Sequence, residues 1–210
     1  MTAPERITYL ARRHPSFPTR EAWVPRWRAH WELAARQPES ATVARYAQGE
    51  VLADTTAPPH DAVAYSEYVS PEARVRNRSA DGYHAIMRAD ELRVFDRPIL
   101  ECAFFGTHHV LAGVEAGAVK VVRFLVGADR AADWDDRAAS ALATAPLLGY
   151  AQTRALPAPP GGWGLPVDGC EEFWVDSLEL AHALLTAPAG PFRVHVAVAA
   201  HEVVLRGRAP

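Results

Sequence analysis

One histidine stands in a tryptophan-rich segment where an acid–base group could act. His30 lies between Trp27 and Trp31 in RWRAHWELA, in which aromatic residues recur near helical spacing. An imidazole that titrates near neutrality can take or give a proton in enolisation, cyclisation or decarboxylation. The alternative is a helix histidine that only hydrogen-bonds to a neighbouring strand. We predict that His30 is a catalytic acid or base.

Tyrosines on predicted strands are candidate partners for this histidine. Tyr9, Tyr46 and Tyr65 lie in β-rich segments, and a phenol inside a pocket can donate to a carbonyl or enolate oxygen. Such tyrosines more often belong to a core in which the hydroxyl is satisfied. We predict that Tyr46 is catalytic and that Tyr9 and Tyr65 bind substrate.

Two adjacent histidines, His108 and His109, fall on another predicted strand. Successive strand side chains point to opposite faces, so the two imidazoles cannot chelate one ion. We predict that His108 polarises a substrate oxygen as a catalytic group and that His109 contacts substrate. Because no histidine pair has metal-ligand spacing on a helix, we predict no metal site, and a zinc or haem site is disfavoured.

The tryptophans suggest a wall for a planar ligand. Trp23, Trp27 and Trp31 form a stripe at i, i+4 and i+8, which is typical of a core or interface and also of an aromatic-lined pocket. We predict that Trp27 and Trp31 contact substrate, together with His84 from a later helix. Trp163, in a Gly/Pro loop, is either a lid residue or a packed anchor.

The elements that must position these residues follow the order β-α-β-β-α-β twice. Predicted strands cover residues 6–13, 40–52, 62–69, 99–112, 118–127, 147–156, 170–176 and 193–206. We therefore predict an α+β fold of two tandem ferredoxin-like modules, residues 1–113 and 114–210, with antiparallel sheets. Strands such as VKVVRFLV are apolar on both faces, so the open sheet faces should pack on each other, within one chain or between two.

Side chains that cap helices mark where the predicted helices begin. Thr19, Ser70 and Ser177 are candidate N-caps, and so is Asp129. Pro25 conflicts with the first helix, because a proline beyond the first turn removes a hydrogen bond. That helix should start later or have an irregular entry.

Composition excludes several classes of protein. The net charge of −3 argues against nucleic-acid binding, and no apolar run is long enough for a membrane span. Without a secretory signal, we expect a cytoplasmic protein. Cys102 and Cys170 form neither a disulfide framework nor a zinc motif. No glycine-rich phosphate loop or nucleophile elbow is present, so we predict no cofactor.

Three segments carry a family resemblance. RWRAHWELA, VARYAQGEV and MRADELRVFDRPI resemble the first helix, second strand and second helix of the EthD-domain family. The matching positions are Trp27, His30, Tyr46, Gln48, Asp90, Glu91 and Phe95. The resemblance covers roughly residues 6–112. The second half lacks the Trp-x-x-His motif and is interpreted as a degenerate copy.

This resemblance implies a dimeric α/β barrel with a pocket between the sheet and its helices. It leads us to predict a cofactor-independent lyase, isomerase or cyclase acting on an aromatic or polyketide-like small molecule by general acid–base catalysis. The alternatives are a non-catalytic small-molecule-binding accessory protein and a cofactorless monooxygenase. The expected state is a monomer with an internal pseudo-dimer or a homodimer, without nucleic acid or membrane as a partner.

Overall fold

The computed structural model describes residues 3–127, 131–144, 146–157 and 164–207. The eight strands are β1 (Glu5–Ala11), β2 (Val43–Asp54), β3 (Ala62–Tyr68), β4 (Ala103–Gly113), β5 (Val119–Val126), β6 (Gly149–Ala155), β7 (Gly169–Val175) and β8 (Arg193–Arg206). The five α-helices are α1 (Arg20–Ala35), α2 (Pro71–Arg78), α3 (Asp81–Val94), α4 (Ala131–Thr144) and α5 (Leu178–Thr186). The elements follow the predicted βαββαβ order twice.

The eight strands form one closed antiparallel barrel in the order β1-β3-β2-β8-β5-β7-β6-β4. Each module contributes four strands in ferredoxin-like order, and the modules join where β2 pairs with β8 and β4 pairs with β6. The predicted fold class is thereby confirmed, and the two sheet faces meet within one chain. The division into domains at residue 113 stays a prediction.

Local capping explains where the helices begin. The hydroxyls of Thr19, Ser70 and Ser177 each accept a backbone N–H from the first turn of α1, α2 and α5. Helix α1 begins at Arg20 and continues through Pro25, so the expectation of a later start was wrong. Pro25 has no N–H, so one backbone hydrogen bond is missing. It is missing near the exposed start of the helix, where water can bond to the carbonyl instead. Asp129 lies outside the described residues.

Two predicted strands begin later than the sequence pattern indicates. Residues 38–42 and 99–101 form 3₁₀ turns, so β2 starts at Val43 and β4 at Ala103. Pro38 and Pro98 stand at the start of these turns, where the fixed φ of proline favours a turn over an extended strand. No helix in the described ranges is both long and apolar enough to cross a membrane.

The barrel interior divides into an apolar layer and a charged layer. Leu10, Phe104 and Phe124 belong to a buried apolar cluster inside the barrel. Further along β1 and β5, the buried side chains are the charged Arg6 and Lys120. Separate apolar cores lie between the outer barrel face and the helices of each module. The helices of the first module enclose the candidate site.

Candidate functional site

A cavity of about 310 Å³ lies between the first module's sheet and its helices. Its walls come from β1–β4, α1, α2 and α3. Five of the nine predicted site residues line it: Tyr9, His30, Trp31, Tyr46 and His84. The volume falls in the range of small-molecule sites. The arrangement therefore brings two imidazoles, two phenols and an indole to one cavity.

An aspartate orients the cavity histidine. His30 on α1 is buried, and its Nδ1 lies 2.7 Å from Oδ2 of Asp90 on α3. The other Asp90 oxygen accepts a hydrogen bond from the Arg26 guanidinium. An ionised carboxylate can only accept, so Nδ1 of His30 carries the proton and donates it to Asp90. Nε2 is then the nitrogen with a free lone pair.

The electrostatics keep this histidine neutral. Burial lowers the pKa of His30 below its usual 6.5, although the hydrogen bond to Asp90 opposes that change. Burial acts to raise the pKa of Asp90, but hydrogen bonds from Arg26 and His30 outweigh it and lower the pKa overall. Within the described chain, Nε2 of His30 has no hydrogen-bond partner. It is not among the unpaired polar atoms that are buried from solvent. The pair is thus organised as a neutral base held by a carboxylate.

The two phenols of the cavity form a hydrogen-bonded pair. The hydroxyl oxygens of Tyr9 and Tyr46 are 3.0 Å apart. The Trp27 indole N–H donates to the Tyr9 hydroxyl at 3.1 Å, and the Gln48 amide donates to the Tyr46 hydroxyl at 3.0 Å. Burial raises the pKa of both tyrosines, so each keeps its proton at neutral pH.

One of the two phenol O–H groups has no acceptor among its hydrogen-bonded neighbours. Trp27 and the Gln48 amide group only donate, so neither can accept a phenol proton. The contact between Tyr9 and Tyr46 uses one O–H. The second O–H has no acceptor in this four-residue network, and both tyrosines line the cavity. One hydroxyl can therefore donate to a ligand oxygen.

The remaining walls are aromatic and include residues that the sequence did not single out. Trp31 stacks on Tyr46 with ring centroids 4.1 Å apart. Tyr83, Met87 and Arg88 on α3 also line the cavity. Burial raises the pKa of Tyr83 to about 12. The spacing of 83, 84, 87, 88 and 91 on one helical face was a usable signal for these residues.

Four predicted site residues lie elsewhere. Trp27 is fully buried behind the cavity, where it stacks on Trp23 at 4.8 Å. Tyr65 lies inside the barrel, with the Arg6 guanidinium 4.1 Å from its ring centroid. His108 also points inward and bonds to Thr153, while His109 lies half-buried at the barrel mouth. Trp163 lies outside the described residues.

The second module repeats the framework of the first. Gln152 donates to the Trp134 carbonyl at 2.8 Å and to the Tyr150 hydroxyl at 3.0 Å. The same two contacts join Gln48 to Trp27 and Tyr46. The Tyr-Ala-Gln repeat in the sequence thus marks equivalent structural positions.

The two copies differ in their charged groups. His30 follows Trp27 by three residues, and Arg137 follows Trp134 by three. Glu171 pairs with Gln152 across β6 and β7, at the place where Ala64 pairs with Gln48. Arg137 binds Glu171 at 2.7 and 3.1 Å, so a buried ion pair occupies the position that faces the cavity in the first module.

Metal-ligating residues do not cluster in the parts of the chain that the structure describes: no group of three or more His, Cys, Asp or Glu side chains could hold an ion there. Cys102 and Cys170 are both buried and free. Burial raises the pKa of both thiols, which disfavours the thiolate needed for nucleophilic attack.

The architecture is that of the dimeric α/β-barrel proteins. No family model matches the sequence. No curated protein matches it either. Among solved structures, a mutant chlorite dismutase from Candidatus Nitrospira defluvii in complex with cyanide superposes with a TM-score of 0.55 at 10% identity, covering 95% of this chain and 91% of that one. A "putative monooxygenase" from Lactobacillus acidophilus NCFM gives 0.54 at 9%, covering 100% and 99%. At such identities the shared property is the fold.

Proposed function

We propose that this chain is a cofactor-independent enzyme that moves a proton on a planar, oxygenated aromatic molecule. It would act as a lyase, isomerase or cyclase of the EthD type. The observation that carries the proposal is that His30, held by Asp90, lines the same cavity as the two phenols, one of which has an unused proton. A base and a hydrogen-bond donor in one cavity are the two groups that enolisation requires.

In the proposed mechanism, Nε2 of His30 removes a proton from a carbon that a substrate carbonyl activates, either from the adjacent position or through a conjugated ring. Electron density moves onto the carbonyl oxygen, where the spare O–H of Tyr9 or Tyr46 stabilises the enolate. The imidazolium is held by Asp90, which accepts from Nδ1 at 2.7 Å. Return of the proton from His30 to another carbon completes an isomerisation. In a cyclisation the enolate carbon attacks a second carbonyl, and His30 returns its proton to the alkoxide that forms.

The EthD assignment rests on the same residues. Trp27, His30, Tyr46, Gln48 and Asp90 come from the three segments of that resemblance. They make the hydrogen bonds that hold the cavity's imidazole and phenols in place. The second module keeps the Trp-Tyr-Gln framework and places a buried ion pair at the histidine position. That difference supports its interpretation as a degenerate copy without a site.

Hydrogen exchange on anthrone tests the proposal. Anthrone is a planar aromatic ketone with an acidic methylene, and its exchange in D₂O is followed by proton NMR. The wild type should accelerate exchange, and His30→Ala should lower that acceleration by about 10²- to 10⁴-fold, which is the usual contribution of a general base. His182→Ala, at an exposed position on α5, is the matched control. Equal rates for wild type and His30→Ala would remove the histidine from the mechanism.

A cofactorless monooxygenase is the second candidate, because two of the similar folds carry the description "putative monooxygenase". An oxygen electrode separates it from the first. Oxygen consumption with anthrone would favour the monooxygenase. Tight binding of anthrone without exchange or oxidation would favour a non-catalytic binding protein. Protein purified with bound haem, flavin or metal would contradict a cofactor-free enzyme.

A further inference from the structure

A second, larger cavity adjoins the proposed active site. It has a volume of about 1240 Å³ and lies at the open end of the barrel, where β1, β2, β3 and β4 begin or end. Val43 and Tyr68 line both this cavity and the helix-lined one. These two side chains therefore form a lip over which a single ligand could extend from one space into the other.

The rim of the larger cavity is apolar and exposed. Val69 is 56% exposed, Val110 50% and Leu111 40%, and all three line the cavity. Single exposed aliphatic side chains are common, but three of them line this one concave opening. Pro4 and Pro71 extend the same rim. Covering this surface with an apolar group removes it from water, which is favourable.

The charged side chains on the floor of the larger cavity are already paired. Arg45 pairs with Glu115, and Glu67 pairs with Arg6 at 3.2 Å. Because these charges already have partners, a polar ligand would have to break an existing pair in order to bind them. The apolar rim is thus the part of the cavity on which a ligand can gain most.

We propose that the substrate carries an unbranched apolar tail that crosses the lip of Val43 and Tyr68 and lies along the rim of Val69, Val110 and Leu111. The planar head would occupy the helix-lined cavity, so the position of the head rests on the proposed function. The substrate class is then an aromatic compound with an alkyl chain, rather than a compact ring system that the smaller cavity alone could hold.

Binding of a homologous series tests the tail site without requiring turnover. The probes are phenol and its 4-propyl, 4-pentyl and 4-heptyl derivatives, titrated by calorimetry. Affinity for the wild type should rise about fourfold for each added methylene, which corresponds to complete burial of that group. In Val69→Ser and Val110→Ser the rise in affinity for each added methylene should fall below about twofold. Both positions are exposed, so these variants should fold.

Two further variants separate the possible outcomes. Leu142→Ser, at a 42% exposed position on α4, should keep the wild-type dependence on chain length. His30→Ala should keep it as well, because the tail site does not depend on the base. Equal chain-length dependence in the rim variants and the wild type would overturn the tail site. So would affinity that does not rise with length, or no binding of any probe.

Discussion

Tyr150 donates its hydroxyl proton to Glu171 across 3.1 Å, whereas Tyr46, its counterpart in the first module, faces Tyr9 instead of a carboxylate. The difference follows from two positions, because Glu171 in β7 corresponds to Ala64 in β3 and Arg123 in β5 corresponds to Tyr9 in β1. The acceptor that satisfies the phenol in one module is thus missing in the other. The two modules share a framework and differ in whether a phenol proton is available to a ligand.

Removing the phenol hydroxyl should therefore affect activity in the first module and stability in the second. Tyr46→Phe should slow anthrone exchange by about 10²-fold, since it removes a donor to the enolate oxygen or its supporting partner. Tyr150→Phe should leave exchange unchanged and lower the free energy of unfolding by about 2 kcal/mol, because two buried hydrogen bonds are lost, one to Glu171 and one from Gln152. Exchange rates and urea unfolding measure the two effects. A loss of exchange in Tyr150→Phe would contradict the assignment of the site to the first module.

The carboxylate beside His30 should set the pH dependence of the reaction. His30 acts as a base only when neutral, so kcat/KM should fall with acid below its lowered pKa, at a pH under 6.5. Asp90→Asn removes a charge that raises this pKa, so the acid limb should move to still lower pH while kcat falls. The pH profiles of the two proteins measure this shift. An acid limb that stays in place in Asp90→Asn would show that His30 is not the titrating group.

The only lysine of the chain should be important for stability. Lys120 is 3% exposed inside the barrel, with its Nζ 2.5 Å from Glu172 and 2.6 Å from Glu202. Lys120→Met should lower the free energy of unfolding by about 3–5 kcal/mol, because two carboxylates lose a buried partner. Arg154→Met breaks an exposed pair with Asp135 and should cost under about 1 kcal/mol. Urea unfolding compares them, and equal losses would contradict the prediction.

Acid should weaken the fold before the carboxylates titrate. Burial and the nearby Arg6 lower the pKa of His108, so the unfolded chain binds its proton at a higher pH than the folded chain does. Stability from this group is present above pH 6.5 and is lost as the pH falls through that value. Burial opposes the ionisation of Glu172, but Lys120 and Arg6 lower its pKa to about 2, so its contribution disappears only below pH 4.5.

The variant His108→Gln isolates the histidine contribution. It should reduce the fall in urea midpoint between pH 7 and pH 5, relative to the wild type. His30 and His109 also have lowered pKa values and account for the slope that remains. The midpoint below pH 4.5 should keep its dependence on pH. An unchanged slope between pH 7 and pH 5 would show that His108 does not contribute.

Local sequence signals predicted much of the fold and the core of the site. Capping residues such as Thr19 and Ser70 act on their own helix turn, so their effect can be read without tertiary information. His30 was predictable because Trp27 and Trp31 fix which face of the helix is buried. The partnership with Asp90 was not, since 60 residues separate the two and only helix packing joins them.

The strand residues were harder because parity alone does not tell which face is the barrel interior. Tyr46 and Tyr65 both looked suitable, yet one faces the helices and the other the interior. An irregularity between Val43 and Arg45 shifts the register at the start of β2, which the sequence does not reveal. The burial of Lys120 in an apolar strand likewise could not be read from the sequence, because its partners come from β7 and β8.

Closure of the barrel across both modules has a practical consequence for dividing the gene. A cut between Gly113 and Val119 would leave two fragments, each with two strand edges that lack partners. The fragments would also hold opposite members of the ion pair between Arg6 and Glu172. Fragments made apart should aggregate, and fragments made together should reassemble. The protein is thus suited to work as a split reporter whose halves signal only when they meet.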